Sequence, residues 1–130
     1  MAQTSIRIGQ NFFRRAVLSA YESRCCISRL SEPRLLVASH IVPWRIDPAN
    51  RLNPKNGLCL SLLHDRAFDL GMITIGEKMV LRIALRYSKE ADPFFERTIS
   101  AFIDKQINMP EKFAPEEQFL EYHRRNIFEG

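Results

Sequence analysis

The sequence predicts a small α+β domain, and three observations lead to that class. A strand, long loop, strand and helix run in series from about residue 35 to residue 71, a second pair of short apolar runs follows, and the flanks carry apolar residues at helical spacing. At 130 residues with 45% hydrophobic content, the chain is long enough for one core and too short for two comfortable ones, so residues 1–130 read as a single domain.

The elements follow in order. Phe12, Phe13, Ala16, Val17, Ala20 and Tyr21 form one apolar stripe, which predicts an N-terminal helix over about 10–23. Leu35-Leu36-Val37-Ala38 has the content of a short buried strand and is closed by His40. Pro43, Asp47-Pro48, Asn50 and Asn53-Pro54 then mark successive bends of a loop to Lys55. Asn56-Gly57 leads into a second short strand, Leu58-Cys59-Leu60. Ser61 is placed to cap a helix that carries His64 and leaves at Gly71, because serine oxygens accept from orphan amides and glycine tolerates a left-handed exit. Met72–Ile75 and Met79–Ile83, joined across Gly76-Glu77, read as a β-hairpin. The C-terminal part, about 92–127, reads as helical: one helix from Asp92-Pro93 to about Lys105 with a Phe94, Phe95, Ile99, Phe102 face, and another from Pro115 to about Arg125.

Three residues at the edges of these elements carry chemistry: His40, Asn56 and His64, in a motif spanning 35–71. Hydrolysis of a phosphodiester needs a proton acceptor for water, a cation for the charge that develops, and side chains that hold both in line. Histidine accepts a proton near neutral pH, which suits His40 as general base. His64 on the helix is read as presenting an imidazole nitrogen to the cation, and Asn56 as fixing a histidine and its loop through an amide that both accepts and donates.

The segment ASHIVPW, then NGL, then HDRAFDLG, resembles the HNH nuclease family, and within it the branch written A-[AS]-H-I-x-P-W, N-G-L and H-x-x-[AL]-F-D-x-G. Residues 10–26 and 119–128 resemble the flanks of that branch, so the likeness covers most of the chain. It implies a ββα-metal core and a metal-dependent endonuclease acting on DNA. His40, Asn56 and His64 take the three named roles, the cofactor is Mg²⁺ or Mn²⁺, and the products carry 5′ phosphate and 3′ hydroxyl ends. The sequence departs from the wider family at Ser39, where many members place a second metal ligand before the base. A serine hydroxyl is a poor ligand for a divalent ion, so Asp65 and Asp69 are the nearby candidates to fill the gap, with Asp65 rotated away from His64 on a helix. Asp69 has the further reading of fixing a backbone group or an arginine.

Each residue alone has a plainer reading: a hydrogen-bonded core histidine for His40, a turn for Asn56-Gly57, a helix cap for His64. Their ordered spacing favours the joint one. Cys25-Cys26 and Cys59 form no pair of C-x-x-C knuckles, so structural zinc is not expected, and an odd count without a secretory segment fits a reducing cytoplasm. No apolar stretch approaches the length that spans a bilayer. A net charge of +4 suits a polyanionic partner without establishing one. Arg45, Lys55 and Arg66 bracket the motif and are the candidate phosphate contacts, each with the alternative of a solvated surface charge. Trp44 is read either as a stacking residue at the loop mouth or as buried beneath it. Arg124, in His123-Arg124-Arg125, is read either as a backbone-phosphate contact or as part of a basic last helical turn. Double-strand cleavage by a single site favours a homodimer, and a restriction or defence system would add a specificity partner. Two readings from other classes stay open: a non-catalytic DNA-binding module with a degenerate metal site, for which Ser39 is the support, and a small zinc-stabilised interaction domain.

Overall fold

The computed structural model describes residues 2–89 and 92–130, with side chains from Ser5 onward. Its order is helix α1 (Ala2–Ala20), strands β1 (Leu36–His40) and β2 (Gly57–Ser61), helix α2 (Leu62–Asp69), strands β3 (Ile73–Ile75) and β4 (Leu81–Ile83), then helices α3 (Pro93–Thr98) and α4 (Glu117–Asn126). Short 3₁₀ turns punctuate the connections. The strands form two separate antiparallel pairs, β1 with β2 and β3 with β4. The α+β class and the ββα core followed by a hairpin are as the sequence predicts.

The first pair sets the frame for everything else. Its register places Leu36 opposite Ser61 and His40 opposite Gly57. β2 is buried along its whole length, with Leu58, Cys59 and Leu60 inaccessible, because α1 and α2 both pack on this hairpin. α1 contributes Phe13 and Val17, and Tyr21 just past its end continues this i, i+4, i+8 stripe, which is buried while Phe12 on the other face is exposed. α2 begins where Ser61 Oγ accepts from the His64 amide at 3.1 Å. It ends at Gly71, whose φ of +77° is one that a side chain resists. A Cβ there would also run into the Ile127 carbonyl, because the C-terminal segment returns alongside, with the Glu129 amide on Gly71 O at 2.9 Å.

The C-terminal half differs from the helical expectation in one place. α3 stops at Thr98, where Ile99 departs to φ −122°, ψ −59°, and only a 3₁₀ turn, Ser100–Phe102, continues toward residue 105. The reason is tertiary. The Thr98 carbonyl is directed to His64 Nε2 at 2.6 Å and is not available to a further helical turn. α4 packs on β3 through Phe119, Leu120 and His123. His123, which the sequence offered only as part of a basic terminus, is 1% exposed and lies flat on Phe68, with ring centres 3.6 Å apart. Its Nε2 donates to Phe68 O at 2.9 Å and its Nδ1 meets Thr74 Oγ1 at 2.7 Å, so it locks α4 to α2 and β3. Burial holds this imidazole down to about 4, so it is neutral near pH 7.

Candidate active site

β1 ends at His40 and thereby brings a half-buried imidazole to the edge of the hairpin. His40 Nε2 lies 2.7 Å from the Arg51 carbonyl. A carbonyl can only accept, so Nε2 carries a proton, which in the neutral tautomer leaves the lone pair on Nδ1. The ring is also covered on one face by Phe13, parallel within 6° at a centroid distance of 4.1 Å.

The loop that supplies the Arg51 carbonyl is fastened by Asn56. This residue is fully buried, and its Oδ1 accepts from the Val42 amide at 2.9 Å while Nδ2 donates to Val42 O at 3.1 Å and Asn50 O at 3.4 Å. Asn50 and Asn53 add further rungs, Asn50 to Asp47 at 2.8 Å and Asn53 to Asn50 at 3.1 Å. Asn56 therefore closes the loop at its neck, and the loop in turn orients His40.

A cleft of about 480 Å³ opens beside the base, and its walls include Ser39, His40, Arg45, Asp65, Asp69 and Ile127. Asp65 and Asp69 are four residues apart on α2 and so share a helix face. Asp69 stands at the exposed rim, yet partial burial and then the Asp65 charge push its carboxyl up to about 6, against an opposing pull from Arg66. Two carboxylates that resist joint ionisation are an arrangement that a cation relieves. Ser39, only 2% exposed, has a hydroxyl with no hydrogen-bond partner among the described residues. The Asp65 and Asp69 carboxylates are hard oxygen donors of the kind that suits Mg²⁺ or Mn²⁺, so the cleft fits a divalent ion by its chemistry. Among the described residues no three His, Cys, Asp or Glu side chains converge into a metal cage. Most of the coordination would fall to water and to substrate oxygens.

His64, expected to face the ion beside His40, is not among the residues that line this cleft. One residue before Asp65, it is turned about 100° around the helix. It is 2% exposed, and both ring nitrogens are already engaged: Nε2 donates to Thr98 O, and Nδ1 lies 2.6 Å from Ser61 Oγ. No lone pair is left for a metal. Cys25 Sγ stands 3.9 Å from the same Nδ1. Burial raises the thiol, but hydrogen bonds with His64 and Ser28 outweigh it and bring Cys25 to about 6. For His64 burial acts downward, while the contacts with Cys25 and the Thr98 carbonyl raise it overall.

The basic candidates divide in the same way. Arg45 is on the cleft wall, whereas Lys55 and Arg66 are exposed outside its lining. Trp44 is half-buried with the Arg51 guanidinium 5.7 Å from its ring centre. Of the two readings of Arg124, the contacts are those of a residue held within the fold: Nε donates to Ile75 O at 2.8 Å and the guanidinium pairs with Glu117 at 2.8 Å. Arg14 is likewise spent on the Leu36 and Pro33 carbonyls at 2.7 and 2.8 Å. Sequence reading missed Phe13 and His123. The first looks like any other apolar stripe residue, and nothing local marks the second. The face shared by Asp65 and Asp69 was visible as an i, i+4 pair, but assigning His64 to the cleft turned that face away.

Residues 25–76, which include the ββα unit, match the family model described as HNH endonuclease. Among solved structures, the chain is similar in fold to one described as a modification dependent TagI restriction endonuclease. That similarity has a TM-score of 0.59 at 16% identity, over 88% of this chain and 38% of that one. This chain thus spans well under half the length of that neighbour. No curated protein matches the chain.

Proposed function

We propose that this protein is a divalent-metal-dependent endonuclease that hydrolyses phosphodiester bonds in DNA, with His40 as the base. The observation that carries this reading is the tethered imidazole, with Nε2–H fixed on the Arg51 carbonyl, beside a cleft lined by Asp65 and Asp69. His40 Nδ1 takes a proton from water, the water oxygen bonds to phosphorus, and the P–O3′ bond breaks. The leaving oxygen takes a proton from solvent, giving 5′ phosphate and 3′ hydroxyl ends. Asp65 and Asp69 would hold a divalent ion, which would supply charge neutralisation for the phosphoryl and leaving oxygens. Arg45 on the cleft wall supplies a phosphate contact, and Asn56 holds the loop that holds the base.

The ASHIVPW, NGL and HDRAFDLG segments support the branch of the family to which they are similar. With one site per chain, a duplex cut requires a homodimer or two visits. The TagI neighbour's printed description supports a restriction role in which a further domain or a partner selects the target. Free, buried Cys25, Cys26 and Cys59 support a reducing compartment such as the cytoplasm.

Plasmid nicking in Mg²⁺ or Mn²⁺ tests the reading. The parent protein cuts, and His40→Ala loses about 10²–10⁴-fold in rate while folding and binding DNA as before. Equal cutting by His40→Ala removes the mechanism. A second reading, DNA binding without cutting, is favoured by the absence of a three-residue cage among the described residues. Retarded DNA with no cleavage across a range of divalent ions selects it.

A further inference from the structure

We infer that Phe13 is a positioning residue for the base, seated over His40 by space that Gly57 leaves, so that α1 is part of the active site's machinery; this rests on His40 being the base. A hydrogen bond through Nε2 fixes one point of the imidazole and leaves the ring free to swing about that bond. The Phe13 ring, parallel within 6° at 4.1 Å, removes the swing by fixing the ring plane. With both constraints present, the direction of the Nδ1 lone pair is set before substrate arrives. The same aromatic face stabilises the imidazolium formed when His40 takes a proton, since the negative face of a ring attracts a cation.

Gly57 is what permits this stack. It pairs directly with His40 across the β1–β2 ladder. A Cβ at Gly57 would stand 2.9 Å from Phe13 Cζ and 2.6 Å from Val17 Cγ2, closer than packed carbons come. Any side chain there pushes the Phe13 ring off its seat. The backbone of Gly57 is ordinary extended strand, so the glycine serves the neighbour's ring and not its own conformation. Phe13 itself is 2% exposed, which makes a core reading natural and hides the positioning one.

The test pairs NMR of the His40 ring with kinetics on the full chain, in the parent, Phe13→Leu and Gly57→Ala. In the parent, the His40 ring protons lie upfield of those of an exposed histidine, and the ring nitrogens show one dominant Nε2–H form. In both variants the upfield shift falls away and the two nitrogen signals average. Their kcat for plasmid nicking drops about ten- to hundredfold, the loss that a misplaced group entails. Half-saturating Mn²⁺ and DNA concentrations stay within about twofold of parental, because Phe13 is not among the residues that line the cleft. Parental ring spectra and kcat in folded variants overturn the inference. So do exposed-histidine ring shifts in the unaltered protein, a reading that survives even where a variant does not fold. Should His40→Ala still cut, the base assignment fails while the spectra continue to score the stack on their own.

Discussion

Replacing His64 by alanine and Asp65 by asparagine, in separate proteins, distinguishes the two faces of α2. His64 is buried with Nε2 on the Thr98 carbonyl and Nδ1 against Ser61 Oγ, both at 2.6 Å. Its removal strands a buried carbonyl and loosens the capping serine, at about 1–3 kcal/mol for each group left unsatisfied. The void left by the ring adds to this, for a total of about 3–5 kcal/mol. A domain of this size has only about 5–15 kcal/mol in hand, so the melting temperature should fall by about 10–25 °C. Mn²⁺ affinity of the protein still folded at 15 °C should be parental. Asp65→Asn should do the reverse. It keeps the side-chain shape, removes a like charge beside Asp69, and leaves the melting temperature within a few degrees. Its Mn²⁺ affinity should drop at least tenfold, about 1.4 kcal/mol of binding. Thermal unfolding by circular dichroism and Mn²⁺ titration by calorimetry give both numbers. An unmoved melting temperature with lost Mn²⁺ binding in His64→Ala would refute the assignment of faces, as would parental Mn²⁺ binding by Asp65→Asn.

Other expectations concern protons and the serine. Asp69 is held up to about 6, so the metal-free folded state binds more protons than the unfolded chain between its ordinary value and that point. Its contribution to stability therefore falls as pH rises through about 6, and bound Mn²⁺ should abolish the trend; denaturant midpoints with and without the ion at pH 4.5 to 7.5 check it. Mn²⁺ affinity itself should weaken as pH falls through the same range. His123 behaves oppositely, because burial lowers it to about 4 and the unfolded chain takes the proton first. Its contribution is present above about 6.5 and is lost as pH falls to about 4, amounting to about 3 kcal/mol at 1.36 kcal/mol per unit. Urea midpoints of the parent and His123→Gln across that window should converge at low pH, and parallel curves would contradict it. Ser39→Asp adds a carboxylate where a buried hydroxyl lacks a partner. It should lower the metal-free melting temperature and enlarge the rise on adding Mn²⁺, and an unchanged Mn²⁺ response would show that position 39 does not face the ion.

How much of this was legible in the chain varies by residue. Ser61 as a helix cap, Gly71 as its exit and the apolar run that His40 closes as a strand are local, and the structure agrees with each because capping, positive φ and strand composition act over a few residues. The hairpin after α2 was visible for the same reason. α3 was not, since its stop at Thr98 depends on His64, 34 residues away in sequence. Nor was the role of His123, which is set by Thr74 and the Phe68 carbonyl on two other elements.

By itself, the sequence determined the ββα order, the placement of His40 at a strand end, and Asn56 at the neck of the loop. Those follow from short-range preferences and from the few side chains able to do the chemistry. Only the tertiary structure decided which face of α2 meets the base. Both Asp65 and His64 were candidates on the helix. Contacts with other parts of the chain select between them: Thr98, with the neighbouring Ser61, draws His64 inward, Ile127 walls the cleft, and Phe13, in the space Gly57 leaves, seats the imidazole. A helix presents every residue to some side. What lies on each side is set by long-range packing, and that packing turns Asp65 and Asp69 toward the cleft and His64 into the core.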